Sequence, residues 1–374
     1  MKIGGISTRS VWREPDGWSV GILDQTLLPW RIARLRLRND ADAAHAIASM
    51  QTRGAPLIGA VAAYGLALAL RADSSDDNLH RAYARLLAAR PTAINLKWAL
   101  DEISAAVRHL PPPQRAEAAY RRADAICDED VAINTAIGQH GKRLIEAVAA
   151  RKRADEPVNI LTHCNAGWLA TVDLGTATAP IYLAHDAGIA VHVFVDETRP
   201  RNQGASLTAF EFGQHGVPHT VIADNAGGHL MQHGRIDMVI VGSDRTTGRG
   251  DVCNKIGTYL KALAAFDNGV PFYVGLPSPT IDFLSDDGVA DILIEERSGA
   301  EVSAVTGRTE TGGVGTVTVV PDGTAVENPA FDVTPARLVT GLITERGVLA
   351  SSREALEAAF PDHPSRRRPP EAAA

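Results

Sequence analysis

The stretch Val158-Asn-Ile-Leu-Thr162, followed at once by His163-Cys164-Asn165, decides the fold of the second half of the chain. An apolar, partly β-branched run that stops at polar residues is typical of a buried strand entering a loop. Five further runs of this kind follow, at residues 191–195, 219–222, 238–241, 271–274 and 292–294. The segments between them are long enough for helices, so the pattern predicts a parallel sheet with helices on both faces.

Polar side chains follow four of these predicted strands at the point where each strand ends. Ligands of open parallel sheets bind at the carboxyl ends of the strands. We therefore expect the polar clusters to converge on one crevice. They are His163-Cys164-Asn165, Asp196-Glu-Thr-Arg199, Ser243-Asp244-Arg245 and Pro277-Ser-Pro279.

The first half of the chain has a different texture. Up to about residue 35, short apolar pieces are split by Pro15, Gly17 and Pro29, which predicts a small cap of short strands. Residues 40–151 are rich in Ala, Leu, Arg and Glu with helical spacing. The predicted fold class is α/β, with a β cap and helical domain over residues 1–152, a parallel-sheet domain over 153–362 and a disordered tail over 363–374.

Composition limits the classes of function. The chain has 374 residues and a net charge of -7, from 37 basic and 44 acidic residues, so no strong positive field would gather a nucleic acid. Its three cysteines are too few for a disulfide framework, which favours a reducing compartment. The longest apolar run, 57–70, is shorter than the roughly 20 residues that span a bilayer. We expect a cytoplasmic protein with neither a nucleic-acid nor a membrane partner.

Cys164 is the first candidate for chemistry. It follows a predicted strand and precedes Asn-Ala-Gly, which suggests a turn into a helix with backbone N–H groups near the thiol. A thiol beside a helix N-terminus has a lowered pKa, and its thiolate can act as a base or nucleophile. A buried core thiol is the alternative, and both stay open at this point. For Cys127 and Cys253 we favour the interpretation as buried core thiols.

Asp244 is the second candidate. In Val239-Ile-Val-Gly-Ser-Asp-Arg245 a carboxylate comes directly off an apolar strand, where burial would raise its pKa and suit it to donate a proton near neutral pH. The alternatives are a helix N-cap or an ion pair with Arg245.

Two segments are candidates for binding a small anion. In the first, glycines precede Asn254 and Lys255 before a predicted helix start, which combines backbone N–H groups with an ammonium group. In the second, Arg53-Gly54-Ala55-Pro56 opens the predicted helix 57–70, with a proline where a first helical turn tolerates it. The loop Asp196 to Gly204 could orient a polyol or could simply be solvated.

Metal and dinucleotide sites have little support in the sequence. His163 lies beside Cys164, but His163, Cys164, His185 and His192 do not have the spacing of a zinc site. The glycines at 175 and at 312–315 do not form a GxGxxG pattern. We expect neither a metal nor a dinucleotide at these positions.

Seven longer strings occur in a fixed order between about residues 50 and 350. They are Arg53-Gly-Ala-Pro, Arg90-Pro-Thr-Ala-Ile-Asn-Leu96, Ile160-Leu-Thr-His-Cys-Asn-Ala-Gly167, Asp196-Glu-Thr-Arg-Pro with Asn202-Gln-Gly204, Gly242-Ser-Asp-Arg245, Gly250-Asp-Val-Cys-Asn-Lys-Ile-Gly-Thr-Tyr259 and Asn328-Pro-Ala-Phe-Asp-Val-Thr-Pro335. With these strings the chain resembles the methylthioribose-1-phosphate isomerase family. The wider group includes ribose-1,5-bisphosphate isomerases and regulatory subunits of a translation-initiation exchange factor.

The resemblance implies a helical N-terminal domain, a Rossmann-like C-terminal domain, a homodimer and no cofactor or metal. It implies that Cys164 acts at the reacting carbons and that Asp244 is the proton donor. The substrate contacts that it implies are Arg53, Gly54, Ala55, Arg90, Gln203, Asn254 and Lys255. The implied reaction converts 5-methylthioribose 1-phosphate to 5-methylthioribulose 1-phosphate, a step of methionine salvage.

Several alternatives remain open at the level of the sequence. The family's glycine-rich string after the cysteine motif is replaced here by Val172-Asp-Leu-Gly-Thr-Ala-Thr-Ala179, and Cys253 replaces a more usual alanine or threonine. The identity of the sugar is therefore open, and 5-deoxyribose 1-phosphate and ribose 1,5-bisphosphate are the alternative substrates. A non-catalytic regulatory subunit that binds a sugar phosphate or nucleotide is an alternative of a different class, although such subunits lack the cysteine and aspartate pair.

Overall fold

The structure is a computed structural model that describes residues 1–153 and 155–363. Of the predicted tail, residues 364–374 lie outside the described residues. The predicted boundary between residues 152 and 153 falls in the connection between a long helix that ends at Ala149 and a strand that begins at Val158. The division into two domains remains a prediction.

The N-terminal half is a small β cap followed by five helices. Strands β3 to β5 form an antiparallel sheet, and β1 pairs with β2. The strands are Lys2–Ile3 (β1), Ile6–Ser7 (β2), Val11–Arg13 (β3), Val20–Leu23 (β4) and Arg34–Leu37 (β5). The helices are Asp40–Ala48 (α1), Ala55–Ala72 (α2), Asp76–Ala89 (α3), Ile94–Val107 (α4) and Pro112–Ala149 (α5).

Helix α2 is the centre of this half. By length and composition alone it could cross a membrane, but 83% of its residues are buried inside the fold, packed against α1, α3, α4 and α5. Every residue from Leu57 to Leu70 is buried. An all-round apolar helix of this kind is expected in the core of a large domain. The predicted helix 57–70 is therefore confirmed and extends by two residues at each end.

The second half begins with alternating strands and helices and then adds a second sheet, a hairpin and short helices. Its strands are Val158–Thr162 (β6), Val191–Asp196 (β7), His219–Ile222 (β8), Met238–Val241 (β9), Arg245–Thr247 (β10), Val252–Lys255 (β11), Phe272–Gly275 (β12), Ile281–Asp282 (β13), Ala304–Arg308 (β14), Val314–Thr318 (β15), Phe331–Thr334 (β16), Gly341–Thr344 (β17) and Gly347–Leu349 (β18). Its helices are Ala179–Asp186 (α6), Ala209–His215 (α7), Ala226–Gln232 (α8), Thr258–Asp267 (α9), Gly288–Asp291 (α10), Ala300–Ser303 (α11) and Arg353–Ala359 (α12).

The main sheet has seven strands in the order β18-β17-β12-β9-β6-β7-β8, and all neighbours are parallel except β17 and β18. This arrangement confirms the predicted fold class. Strands β6 and β9 are neighbours, and so are β6 and β7, so the loops after these three strands meet at one edge. The side chains of Ile137 and Ile145, from the second half of α5, pack into the core of this sheet.

One predicted strand is wrong. Residues 292–294 form no strand; they follow α10, and the side chain of Leu293 is 78% exposed. The strand that lies beside β12 is instead β17, which is buried throughout. Three apolar residues are too few to distinguish a strand from a loop by pattern alone, because no periodicity can be measured over that length.

A second, four-stranded sheet in the order β13-β10-β11-β16 lies beyond β9. Strand β11 is antiparallel to both β10 and β16, and its register pairs Asn254 with Asp332. Strand β10 starts directly after Asp244 and pairs with β11. This pairing places Asn254 and Lys255, on β11, close to the end of β9.

Candidate active site

Cys164 lies two residues beyond the end of β6, in an unusual backbone conformation. Its φ is +65°, in the left-handed region that a side chain makes costly, and its backbone N–H donates to Thr198 Oγ1 at 2.8 Å. The thiol is 6% exposed and donates to Gln203 Oε1 at 2.9 Å. Thr198 also has a φ of +65°. Strained residues of this kind cluster at functional sites, which supports a role for this turn.

The expected helix N-terminus beside Cys164 is not there. Residues 168–170 form a single short turn, and the next α-helix, α6, begins only at Ala179. Burial raises the pKa of the Cys164 thiol, and the nearby charges of Arg53 and Lys255 offset this effect in part. The predicted lowering of the thiol pKa is therefore wrong, because desolvation of the thiolate outweighs the effect of the cations.

Alkylation of Cys164 tests this direction. Iodoacetamide reacts with the thiolate, so a raised pKa means that the rate constant keeps rising above about pH 9, whereas an ordinary thiol levels off near its pKa of about 8.5. The rate of modification is measured by mass spectrometry of the Cys164 peptide. The Cys164→Ser variant identifies any background from the other two cysteines. A plateau below about pH 8 would contradict the raised pKa.

Asp244 lies between β9 and β10, at the carboxyl end of the strand beside β6. Its backbone N–H donates to Cys253 O at 2.9 Å, which joins the end of β9 to β11. Burial raises the pKa of the carboxyl group, and Lys255, Arg53 and Arg90 oppose that shift. Asp244 caps no helix. Arg245 points elsewhere, with Nη2 donating to Thr92 O at 2.6 Å and Nη1 lying 3.5 Å from Asp282 Oδ2.

Three cations surround this pair of residues. The charges of Arg53 and Lys255 act on both Cys164 and Asp244, and the charge of Arg90 acts on Asp244. Burial lowers the pKa of Lys255, while Cys164 and Asp244 raise it. Arg90 is paired with Glu295 at 2.9 Å, whereas Arg53 donates to Asn165 and Lys255 to Ala330 O, and neither has a carboxylate partner among the described residues. The cluster is therefore suited to an anion.

Arg90 and Arg53 each have donors to spare. The Nε of Arg90 is shielded from solvent and has no hydrogen-bond partner among residues 1–153 and 155–363. Arg53 uses two of its five N–H groups on Asn165, with Nη1 donating to Oδ1 and Nη2 donating to the backbone O at 2.7 Å. The remaining donors of both side chains are available to a ligand.

Gly54 and Ala55 bring the start of α2 against the loop that follows Cys164. Gly54 has a φ of +97°, and a Cβ at this position would lie 2.5 Å from the backbone of Ala170. Only glycine fits so close an approach. The two residues share a small cavity with Arg90 and Asp244, whereas Arg53 and Gln203 line a cavity of about 780 Å³ together with Met50.

The structure changes the interpretation of Asn254 and Lys255. Both lie on β11, not at a helix start, and the N–H groups of Gly257 and Tyr259 at the start of α9 donate to the carboxylate of Asp332 at 2.7 and 3.1 Å. That helix end is therefore already occupied by an anion and is not a free phosphate site. The Lys255 ammonium lies 2.8 Å from Ala330 O, and Asn254 Nδ2 donates to Thr258 Oγ1 at 3.1 Å.

His163, Asp196 and Lys261 form a buried polar group behind Cys164, which the sequence did not indicate. Asp196 Oδ2 lies 2.8 Å from His163 Nδ1 and 3.2 Å from Lys261 Nζ. His163 Nε2 lies 2.8 Å from Ile256 O, a carbonyl that can only accept, so this nitrogen carries the hydrogen. Asp196 is thus a buried residue at the end of β7 and not part of a solvated loop.

Two of these residues, His163 and Asp196, have the spacing of a metal site together with Asp224, but not its chemistry. The ligand atoms of His163, Asp196 and Asp224 lie within 4.8 Å of one another. Lys261 supplies a positive charge to Asp196, and both His163 nitrogens already have partners. These residues therefore fit an internal ion-pair network better than a metal site.

Three of the four predicted polar clusters lie close together, since His163 contacts Asp196, Cys164 contacts Thr198 and the charge of Asp244 acts on Cys164. The fourth, Pro277-Ser-Pro279, lines a separate cavity of about 200 Å³ with Pro56, Asn95 and Asp130. Cys127 and Cys253 are buried; burial raises the pKa of Cys253 to about 12. Cys253 nevertheless lines the small cavity beside Asp244.

A sequence profile of the Initiation factor 2 subunit family matches residues 51–351. The chain belongs to this family. The match contains all seven strings from which the resemblance was drawn.

Within the family, the chain is similar to proteins named as enzymes. It is 62% identical over 360 residues to a methylthioribose-1-phosphate isomerase of Methylocella silvestris, covering 96% of this chain and 98% of the relative. The crystal structure of 5-methylthioribose 1-phosphate isomerase from Pyrococcus horikoshii OT3 matches with a TM-score of 0.81 at 39% identity, over 95% of this chain and 96% of that one. The resemblance to this branch of the family is confirmed.

The family also contains proteins with a different name. The crystal structure of the translation initiation factor eIF-2B subunit delta from A. fulgidus matches with a TM-score of 0.77 at 35% identity, over 95% of this chain and 100% of that chain. The shared fold alone therefore does not decide between catalysis and regulation.

Proposed function

We propose that the protein is an aldose–ketose isomerase that converts 5-methylthioribose 1-phosphate to 5-methylthioribulose 1-phosphate. The observation that carries the proposal is the meeting of Cys164 and Asp244, from the neighbouring strands β6 and β9, inside a cluster of three cations. The names of relatives at 60–64% identity support the same reaction. They do not favour the regulatory alternative.

The cation cluster supplies the phosphate site in this proposal. Arg53, Arg90 and Lys255 can together neutralise a phosphate dianion, and the guanidinium groups can bind it in a bidentate way. Gly54, Ala55, Gln203 and Asn254 complete the proposed set of contacts. The reacting end of the sugar would then lie between the thiol and the carboxyl group.

Ring opening is the first chemical requirement. The anomeric oxygen carries the phosphate, so the bond between C1 and the ring oxygen must be broken by an acid. Burial raises the pKa of Asp244, which favours its protonated form, and this carboxyl group can donate to the ring oxygen. The resulting carboxylate can later take the proton from the C2 hydroxyl, which restores the acid and balances the reaction.

The hydrogen on C2 can reach C1 in two ways. A thiolate at Cys164 could remove it as a proton, or it could shift as a hydride while the thiol stays neutral and donates a hydrogen bond. Burial already raises the pKa of Cys164, and a bound phosphate would weaken the offset from Arg53 and Lys255. This supports the hydride shift.

Turnover of labelled and alternative substrates tests the proposal. Purified protein is incubated in ordinary water with 5-methylthioribose 1-phosphate deuterated at C2, and the product is examined by NMR. We expect ketose 1-phosphate with the label retained at C1. Loss of the label to solvent would overturn the hydride shift, and the absence of any ketose product would overturn the proposed function.

Relative rates on other sugars define the substrate. We expect 5-deoxyribose 1-phosphate to be a substrate with a lower kcat/KM. The decrease should correspond to roughly 1–3 kcal/mol of transition-state binding for each missing methylene-sized group, because an apolar pocket discriminates weakly against a smaller ligand. Ribose 1,5-bisphosphate should be a poor substrate. Its second phosphate needs further cations, and the nearby Arg201 and Arg297 are paired with Glu301 at 2.8 and 2.7 Å.

The proposal extends to the setting of the enzyme. We propose a cytoplasmic homodimer without cofactor, as the family resemblance implies. The size of the purified protein by sedimentation equilibrium tests the dimer directly.

A further inference from the structure

Glu211 is a fully buried carboxylate behind the candidate active site, on α7. It is 0% exposed and accepts four hydrogen bonds. Oε1 accepts from Asn165 Nδ2 and from the backbone N–H of Leu169, both at 2.9 Å. Oε2 accepts from the backbone N–H of Trp168 at 3.1 Å and from the Tyr182 hydroxyl at 3.0 Å. Glu211 therefore holds the loop that follows Cys164.

The side-chain amide of Asn165 connects Glu211 to Arg53. Its Nδ2 donates to Glu211 Oε1 and to Thr208 Oγ1, the latter at 3.1 Å. The Thr208 hydroxyl donates its own hydrogen to Cys164 O at 2.7 Å, so its oxygen is an acceptor for Asn165. Both hydrogens of the amide are thus used. The amide oxygen is left to accept from Arg53 Nη1.

The acceptors around Asn165 decide which end of its amide faces Arg53. The two ends of an asparagine amide are nearly equal in size, so shape alone does not fix their order. Glu211 Oε1 already accepts from the Leu169 N–H, and the Thr208 hydroxyl has given its hydrogen to Cys164 O, so both oxygens are acceptors and hold the NH2 end of Asn165. A reversed amide would place N–H groups against the guanidinium and leave both sides without an acceptor.

We propose that Glu211 is a positioning residue for anion binding: through Asn165 it orients the Arg53 guanidinium toward the bound phosphate. This inference rests on the proposed function only in taking the anion to be the phosphate of the substrate. Arg53 comes from the start of α2, whereas Asn165 and Glu211 come from the sheet half of the chain. The link therefore also fixes the position of α2 relative to Cys164.

The Glu211→Gln variant tests the proposal. A glutamine has an N–H end, which must face either Asn165 and the Leu169 N–H or the Trp168 N–H and Tyr182, so in both orientations a backbone donor of this loop loses its acceptor and Asn165 is held less firmly. We expect the affinity for inorganic phosphate, measured by calorimetry, to fall about tenfold or more, as for loss of a hydrogen bond to a charged group. KM for the sugar phosphate should rise by a similar factor, with a much smaller change in kcat.

Tyr182→Phe is the matched control. It removes a hydrogen bond from the same carboxylate but on Oε2, the oxygen that does not hold Asn165, and it should leave phosphate affinity nearly unchanged. A loss in Tyr182→Phe equal to that in Glu211→Gln would show that the carboxylate acts only through general stability and would overturn the proposal.

A double-mutant cycle with Asn165→Ala tests the connection itself. We expect Asn165→Ala alone to weaken phosphate binding as much as Glu211→Gln, and the double variant to be no weaker than either one. Unchanged phosphate binding in Asn165→Ala overturns the proposal, whether or not Glu211→Gln folds. Additive losses in the double variant also overturn it.

The same experiments separate this inference from the proposed function. If wild-type protein binds phosphate but does not convert 5-methylthioribose 1-phosphate, and Glu211→Gln weakens phosphate binding, the function fails and the positioning role stands. If the sugar is converted and Glu211→Gln leaves both KM and phosphate affinity unchanged, the positioning role fails alone.

Discussion

Replacement of Asp244 by asparagine is expected to lower kcat by about 10²–10⁴-fold, the usual contribution of a general acid or base. Asparagine keeps the size of the side chain and resembles the protonated carboxyl group, but it cannot give a proton to the ring oxygen. Substrate binding should persist, because the three cations remain. The measurement is steady-state turnover of 5-methylthioribose 1-phosphate with calorimetric binding of inorganic phosphate.

Asp237→Asn is a control at the other end of β9. Asp237 lies just before this strand, whereas Asp244 follows it, and Asp237 accepts from the backbone N–H of Asn159 at 2.7 Å. We expect its replacement to leave kcat unchanged. A kcat near the wild-type value in Asp244→Asn would remove Asp244 from the role of acid.

The pH dependence follows from the same assignment. A proton donor must be protonated in the free enzyme, so kcat/KM falls as pH rises through its pKa. Burial raises the pKa of Asp244 above the usual range of a carboxyl group, which moves this loss of activity to higher pH. The cations oppose the shift, and a bound phosphate would weaken that opposition.

The parallel sheet could be predicted from the sequence because its strands are short, apolar and separated by helices. Strands β6, β8 and β9 have the predicted bounds, β7 extends one residue further at its end, and β12 is shifted by one residue. The convergence of Cys164 and Asp244 followed from their positions after two such strands, since the carboxyl ends of parallel strands share one edge.

The sequence was less informative about the surroundings of individual side chains and helix ends. The thiol of Cys164 was expected to have a lowered pKa, yet its turn leads into a loop and its surroundings are dry, so the pKa is raised. The helix start at Gly257 was expected to be open to an anion, but Asp332, more than 70 residues later, occupies it. Contacts between distant segments decide both outcomes, and a local pattern does not contain them.

Glu211 shows the same limit for a buried polar residue. In the sequence it is one glutamate on a short helix, and nothing near it indicates a link to Asn165 or Arg53. Burial raises its pKa to about 7, although its four donors oppose the shift. The pKa of Glu211 is higher in the folded protein than in the unfolded chain. Its contribution to the free energy of unfolding is therefore lost as pH rises through about 7, where the group ionises.

Replacement of Cys164 by alanine is expected to lower kcat by about 10²–10³-fold, as for loss of a hydrogen-bond donor aimed at developing charge. The cavity that is left is small, and the backbone N–H of residue 164 still donates to Thr198. Turnover and phosphate affinity are measured as for Asp244→Asn. The control is Cys127→Ala, which removes a buried thiol in the core of the helical half and should leave kcat unchanged.

Cys164→Ser then separates the two possible roles of the thiol. A serine hydroxyl can donate a hydrogen bond but is too weak an acid to supply a base at neutral pH, so it replaces a neutral thiol and not a thiolate. If the hydride shift is correct, Cys164→Ser retains clearly more activity than Cys164→Ala. If Cys164 removes the C2 proton, the two variants are equally impaired, and the raised pKa of the free thiol must then be overcome when the substrate binds. Equal impairment together with label lost to solvent would overturn the neutral-thiol route, because both results require a base at the sulfur position.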